Sequence, residues 1–339
     1  MDPVTHAVFG GLWAMPAARR ERMRQAAAAG AVAGLVPDLD VLIRSSEDSL
    51  LYIEYHRQFT HALAFVPIGS LAVALLLWPL YRRWTGFSRL YLWCFLGYLV
   101  HPLLDAATSY GTYLFWPFSD HRVALNWVSV IDPLYSLPLI ALLLLAFWRR
   151  SLVAATAGLF WLLLYMGLAA VQNLRAEQAL VDWAEGRGLV IERSVAKPAF
   201  GNIILWRGLI DEGGRFHLVA IRNLPGAPVR VWEGGSVGQF TPEAFDPERR
   251  LGHDLRRFDH FSSNWLIRFP DYDGDGQWFV GDVRYAIDPA SLRPLWGVSF
   301  DPDDPDAHAR YTTPRRVTEI ERRRFLDRLL DRPLDNLAD

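Results

Sequence analysis

Apolar positions along the chain follow two rhythms. Through residue 171 they form long continuous runs at 25–43, 61–81 ("HALAFVPIGSLAVALLLWPLY"), 90–107, 128–148 and 151–171. The runs 61–81, 128–148 and 151–171 each have about the 20 residues that a helix needs to cross a bilayer, and they are predicted to span. Segment 3–17 is short for a crossing. The runs 25–43 and 90–107 carry ionisable groups, which predicts helices at the interface or packed inside the bundle. From about Gln172 the rhythm changes to short period-two runs, "NIILWRGLI", "RFHLVAIR", "VRVWEGG", "WLIRF", "QWFVGDVRYAI" and "LWGVSF". Turn-rich stretches such as "NLPGAP" and "DYDGDG" punctuate them, the pattern of antiparallel hairpins. At 314–330, Val317, Ile320, Phe325 and Leu329 recur at helical spacing. The expected fold is therefore an α-helical membrane bundle of about six helices over 1–172, followed by a mainly β soluble domain over 173–339 with a C-terminal helix.

Charge adds topology to this picture. The 339 residues carry 35 basic and 37 acidic side chains, and the net charge of −2 favours no polyanionic partner. Residues 1–171 hold 12 of the basic and 10 of the acidic groups, so the greasy half is also the sparsely charged one. Within it Arg19, Arg20, Arg22, Arg24, Arg82, Arg83, Arg89, Arg149 and Arg150 fall in alternate loops, with Glu21 as the lone acid among them. The positive-inside bias assigns those loops to the cytoplasm and the opposite helix ends, with the C-terminal domain, to the extracytoplasmic side. The single cysteine, Cys94, rules out a disulfide framework or a thiolate metal cluster. The N-terminus has no basic region before its short apolar stretch, unlike a cleaved signal peptide.

Candidate chemistry sits on the opposite helix ends. In "GYLVHPLLDAATSYGT", His101 and Asp105 are four apart on an apolar helix and project from one face, with Cβ atoms about 6 Å apart. Such a pair can chelate a divalent ion or form a buried hydrogen bond that ties helices together. His6, Asp38, Asp40, His56 and His61 fall on the same face. Ionisable groups beside hydrocarbon are costly unless paired or bound to a cation, and this donor set suits zinc, with manganese or iron as alternatives. Arg57 offers a bidentate fork for an anionic phosphate, or a contact to lipid headgroups. Beside it, His56 offers a ligand or a proton donor. Asp132 is a second-layer partner for a ligand histidine or a helix cap. Asp120, His121 and Arg122 are pocket-rim candidates.

Taken in order, "DPVTHAVFG", "LVPDLDVL", "YHRQFTHAL" and "GYLVHPLLDAATSYGT" resemble the YdjM-like inner-membrane group of metal-dependent hydrolases over roughly residues 1–150. That group is similar in turn to the zinc-dependent phospholipase C and P1 nuclease superfamily, an all-helical fold. The resemblance implies His6, Asp38 or Asp40, His61, His101 and Asp105 as ligands of zinc, in the bacterial inner membrane. No second H-x-x-x-D follows Asp105, so it implies one ion, or two bridged by Asp105, rather than three.

The remaining motifs point elsewhere or nowhere. "DYDGDGQWFVGD" matches the spacing of an EF-hand loop, but its flanks read as strands, which predicts a hairpin turn. His217, His253, His260 and His308 have no chelating neighbour at helical or strand spacing and are read as ordinary histidines. Basic residues are loop anchors or mixed with acids, so no nucleic-acid partner is expected. No G-x-S-x-G, phosphate-binding glycine loop or cysteine nucleophile is present. The expected function is a metal-dependent hydrolase acting on a phosphoester or ester, as a small molecule or in a membrane lipid or envelope component. Asp38 or Asp40 would serve as ligand and orienting base, and Arg57 would stabilise the developing anion. The alternative is a metal-stabilised scaffold whose soluble domain binds a partner protein.

Overall fold

The computed structural model describes residues 1–314 and 317–334. The chain forms two compact units that interleave in sequence. One comprises 1–42, 55–171 and 200–202; the other comprises 43–54, 172–199 and 203–339.

The first unit is helical. Its elements are α1 (Pro3–Ala14), α2 (Met23–Leu35), the end of α3 (Leu51–Tyr55), α4 (Val66–Tyr81), α5 (Phe87–Ala107), α6 (Pro133–Arg149) and the first part of α7 (Leu152–Glu185). Among the described residues, four helical stretches are long and apolar enough to cross a membrane: Arg20–Leu42, Leu63–Tyr81, Phe87–Ala107 and Leu152–Glu185. This revises the expected set in two ways. The two runs set aside for their ionisable groups are among the four, because those groups lie at helix ends. The predicted span 128–148 is shortened to α6, because Asp132 caps a helix that starts at Pro133. Residues ahead of that cap form an irregular loop instead, pinned by bridges from Thr112 to Val123 and from Thr108 to Val128.

Glycines bring α1, α2 and α5 into close contact. A Cβ on Gly30 would stand 2.2 Å from the Gly10 carbonyl oxygen, and one on Gly34 would stand 2.6 Å from that of His6. Only hydrogen fits there, the small-residue packing by which helices associate in lipid. Around this contact Ala26, Ala29 and Ala33 pack with Trp93, Cys94 and Tyr98. In contrast Leu71, Leu75, Leu76 and Leu80 of α4 and Val153, Phe160, Leu163 and Leu164 of α7 point outward, an apolar exterior suited to lipid. The three arginine-rich loops share one end of the bundle. There the Tyr81 hydroxyl donates to the Gln25 carbonyl at 3.2 Å and Arg24 donates to the Phe147 and Trp148 carbonyls at 2.9 Å each.

The second unit holds two four-stranded antiparallel meanders, β1 (Arg193–Pro198) to β4 (Arg230–Gly238) and β5 (Leu266–Arg268) to β8 (Arg310–Thr312). Between them come β2 (Leu205–Asp211), β3 (Arg215–Arg222), β6 (Trp278–Asp282) and β7 (Gly297–Phe300). Strand β2 is buried along its whole length and pairs Leu209 with Leu218 of β3. Leu209, Phe216 and Leu218 meet Trp265, Ile267 and Val283 in a core that joins the sheets. The loop containing "DYDGDG" connects the paired strands β5 and β6, where Asp273 accepts from Phe279 N at 2.7 Å and bonds Arg268 at 2.8 Å. Helix α8 (Arg250–Phe261) was not anticipated; it buries Leu251, Leu255 and Phe258. The C-terminal helix α9 (Glu319–Leu330) starts later than position 314, behind a Thr318–Glu321 capping box. Positions 315–316 of the expected helix lie outside the described residues.

Candidate metal centre

Each donor is placed by a local rule. Asp2 caps α1 by accepting from Thr5 N at 3.0 Å, and Pro3 opens the helix, so His6 lies in its first turns. A 3-10 turn over Val36–Leu42 extends α2 and presents Asp38 and Asp40. His61 ends the short turn Phe59–His61, which the Tyr98 hydroxyl holds to α5 by donating to the Thr60 carbonyl at 2.9 Å. His101 and Asp105 stand four apart on α5. The glycine contact described above brings α1, α2 and α5 together, and the Tyr98 bond adds the His61 turn at the same end of the bundle.

There the donor atoms converge. His61 Nε2 and His101 Nε2 are 2.9 Å apart. Asp105 Oδ2 is 3.2 Å from the former and 3.4 Å from the latter, and Asp38 Oδ1 is 3.6 and 3.5 Å from them. A tetrahedral ion held at about 2.0–2.1 Å places its ligand atoms about 3.3–3.4 Å apart, so these spacings suit a zinc-sized ion. His6 stacks on His101 with ring centroids 3.5 Å apart and sets Nε2 3.2 Å from Asp105 Oδ1. Asp105 thus faces donors with both oxygens, as a bridging carboxylate would.

Orphaned atoms support the fit. His6, His61, His101 and Asp105 are fully buried, and His6 Nδ1, His6 Nε2 and Asp105 Oδ2 lack any hydrogen-bond partner. A buried polar atom left unsatisfied costs roughly 1–3 kcal/mol, which a cation would offset at Asp105 Oδ2 and at the unprotonated His6 nitrogen. Only Asp38, with a side chain 17% exposed, opens the cluster to solvent. Burial disfavours a proton on His61, but the nearby carboxylates of Asp105, Asp38 and Asp40 outweigh it and raise the imidazole to about 9. An entering cation would displace that proton.

A second layer positions the first. The His101 Nδ1 nitrogen is 2.6 Å from the Gly34 carbonyl. Asp40 accepts from Arg57 N at 2.9 Å and Thr60 Oγ1 at 2.8 Å, lies 3.3 Å from His61 Nδ1 and contacts His56 Nδ1 at 2.8 Å. It therefore stands behind His61, while Asp38 faces the donor atoms. Burial lowers the proton affinity of His56 against the pull of Asp40, keeping the ring neutral at pH 7. Arg57 is buried at φ 65, a left-handed backbone that favours glycine. Bonds from Tyr113 N and Thr112 Oγ1 to its carbonyl, at 3.1 and 3.0 Å, hold it there. Its Nε lies 3.2 Å from Asp105 Oδ2 and its guanidinium 4.7 Å over the Tyr110 ring, so in this state it neutralises Asp105. The Met1 amino group also contacts Asp105.

The rim candidates divide. Arg122 lies over the rings of Tyr110 and Tyr113, at 5.1 and 4.7 Å, whereas Asp120 and His121 are exposed. Asp132 caps α6 by accepting from Leu134 N and accepts from the Tyr165 hydroxyl at 2.6 Å, the bonds of a helix cap. Sequence reasoning missed a second His–carboxylate group in the other unit. There His308 Nδ1 meets the buried Asp254 at 2.7 Å, and Asp48 lies close by. Its members come from segments far apart in the chain, so no local spacing could reveal it. Asp254 lies 54 positions from His308, outside the helical and strand spacings at which a chelating neighbour is sought in the sequence.

Apolar helices closing on a buried imidazole and carboxylate cluster define a multi-pass membrane protein with a candidate metal centre. Residues 1–176 match the family model described as YdjM inner membrane protein, and the chain belongs to that family of the inner membrane. It is 30% identical over 139 residues to the uncharacterized protein YfhP of Bacillus subtilis (strain 168), covering 41% of this chain and 40% of that one. It is 35% identical over 103 residues to the inner membrane protein YbcI of Escherichia coli (strain K12), covering 29% of this chain and 57% of that one. Less than two thirds of either relative is thus spanned. No solved structure matches the chain.

Proposed function

We propose that this chain is a membrane-bound metal-dependent hydrolase of phosphoester or ester bonds, with a helical domain of the phospholipase C and P1 nuclease type. The observation that carries the reading is the set of four facing donors, buried His61, His101 and Asp105 with the partly exposed Asp38, at spacings suited to a tetrahedral ion. These residues would hold zinc, with His6 and the second oxygen of Asp105 available to another ion. When bound, such an ion supplies Lewis acidity toward water and a phosphoryl or acyl oxygen.

The chain's own residues do the rest. Asp40 fixes the ring orientation of His61 and His56. His56, neutral and held through Nδ1, is the group suited to accept a proton at Nε2. Arg57 sets the carboxylate of Asp105 and adds positive charge where an anion would develop. Access through Asp38 at a helix end favours a substrate at headgroup depth, a membrane lipid or envelope component. The basic loops at the opposite end favour an extracytoplasmic site and C-terminal domain.

The near-complete enclosure of His6, His61, His101 and Asp105 favours the second reading, a structural ion in a scaffold whose β domain binds a partner protein. Metal analysis of the purified protein, followed by phosphodiesterase and lipase assays of wild type and His101→Ala, separates the two. Hydrolysis that disappears with His101 supports the enzyme. Stoichiometric metal with no turnover on any ester, and unfolding on chelation, supports the scaffold.

A further inference from the structure

At the opposite end of the helical unit from the metal cluster, a cavity of 690 Å³ opens between the loop that follows α1 and the α6–α7 corner. Arg20, Arg149 and Arg150 line it, and no acidic residue does. Among the described residues none of these arginines makes an ion pair, whereas nearby Arg24 has both arms on the Phe147 and Trp148 carbonyls. Position 150 sits at the end of α6 in the left-handed conformation, φ 47, which turns the chain straight into α7 and sets two guanidinium-bearing residues side by side at the corner. The cavity is also greasy on one flank: Leu145, Leu152 and Val153 line it while remaining 47%, 52% and 78% exposed. A site for a small soluble anion has no use for exposed aliphatic side chains. A molecule with a phosphate at one end and hydrocarbon at the other meets both halves.

We propose that this cavity binds one anionic phospholipid, its phosphate among Arg20, Arg149 and Arg150 and its acyl chains along Leu145, Leu152 and Val153. The site is independent of the metal centre and of the hydrolase reading. Guanidinium forks match phosphate oxygens, and the exposed aliphatic flank suits acyl chains.

Native mass spectrometry of the full chain in a neutral detergent, titrated with dioleoylphosphatidylglycerol or dioleoylphosphatidylcholine, tests this directly. The expected result is one retained phosphatidylglycerol per chain and no retained phosphatidylcholine. The variant R20Q/R149Q/R150Q should weaken retention at least about tenfold, while R82Q/R83Q/R89Q, which alters the neighbouring basic loop outside the cavity, should keep it. Equal retention of the two lipids by wild type, a readout that needs no variant, would overturn the proposal. So would undiminished retention by R20Q/R149Q/R150Q. Displacement of the lipid by millimolar inorganic phosphate would instead assign the cavity to a soluble anion and overturn the lipid assignment.

Discussion

Two buried polar clusters, one in each unit, are satisfied to different degrees. In the helical unit His6 and Asp105 are sealed from solvent, yet His6 Nδ1, His6 Nε2 and Asp105 Oδ2 have no hydrogen-bond partner. In the β unit Arg207 is equally buried, but Nε and Nη2 reach the Val283 carbonyl at 3.0 and 2.7 Å, and Nη1 reaches Pro289 and Ser291 at 2.7 and 2.8 Å. Burial lowers that guanidinium to about 10, with Asp288 and Asp282 opposing, so it stays cationic at pH 7. Asp282 in turn holds Arg284 through both oxygens, at 2.9 and 2.7 Å. Burial alone therefore does not mark a binding site. A polar cluster whose donors and acceptors close on one another stabilises a fold, and one that leaves buried nitrogen and oxygen atoms unsatisfied is a candidate to hold a ligand.

The largest effect expected from breaking this contrast is loss of the ion. His101→Ala removes a donor that faces Asp38, His61 and Asp105. Metal content by plasma mass spectrometry should fall from about one ion or more per chain to near zero. Retained stoichiometric metal would mean that the cluster is not the site. Next comes Arg207→Met, which leaves the Val283, Pro289 and Ser291 carbonyls without their donor. Denaturant unfolding of the full chain, followed through hydrogen exchange of β2 and β3, should show about 3–5 kcal/mol lost, with metal content unchanged. A loss below about 1 kcal/mol would show that the network is dispensable.

Much of this contrast was legible in the chain, though unevenly. Strand β3 coincides with "RFHLVAIR", because period-two alternation needs only local information. His6, His61, His101 and Asp105 could be grouped because their helix ends fall on one face by simple alternation. The distinction between Asp38 and Asp40 was not legible, since it depends on how the turn after α2 aims two side chains spaced by one residue. Nor was the shortening of the 128–148 run, where hydropathy outweighed the Asp132–Pro133 start signal that was nonetheless present. Helix α8 carried Leu251, Leu255 and Phe258 at helical spacing, but its many charges masked the stripe. The His308–Asp254 contact joins residues 54 apart and had no local signal at all.

Asp40→Asn tests the layer behind the ligands. The substitution keeps the shape but removes the charge that faces His61 Nδ1 and His56 Nδ1. Removal of such a partner should weaken zinc affinity about 10–100-fold, read by competition with a chromogenic chelator, without abolishing binding. Complete loss would instead make Asp40 a ligand, and no change would place it outside the site.

The smallest effect sharpens the comparison most, because it concerns a polar group that is satisfied and only partly buried. Thr318 Oγ1 accepts from Glu321 N at 3.1 Å while Glu321 Oε2 accepts from Thr318 N at 2.9 Å, so two otherwise unpaired donors at the start of α9 are closed reciprocally. Alanine at position 318 deletes one of these bonds and leaves the helix body untouched, including the Leu329 carbonyl that accepts from Arg222 at 3.1 Å. The expected loss is about 1 kcal/mol, seen as faster hydrogen exchange confined to the first turn of α9, with zinc affinity unaltered. Because the capping bonds are replaced by bonds to water rather than by a void or a buried lone pair, the penalty should stay well below that of Arg207→Met. An equal penalty would mean that Thr318 carries packing as well as capping, and the ranking of polar groups by how completely they are sealed from water would fail.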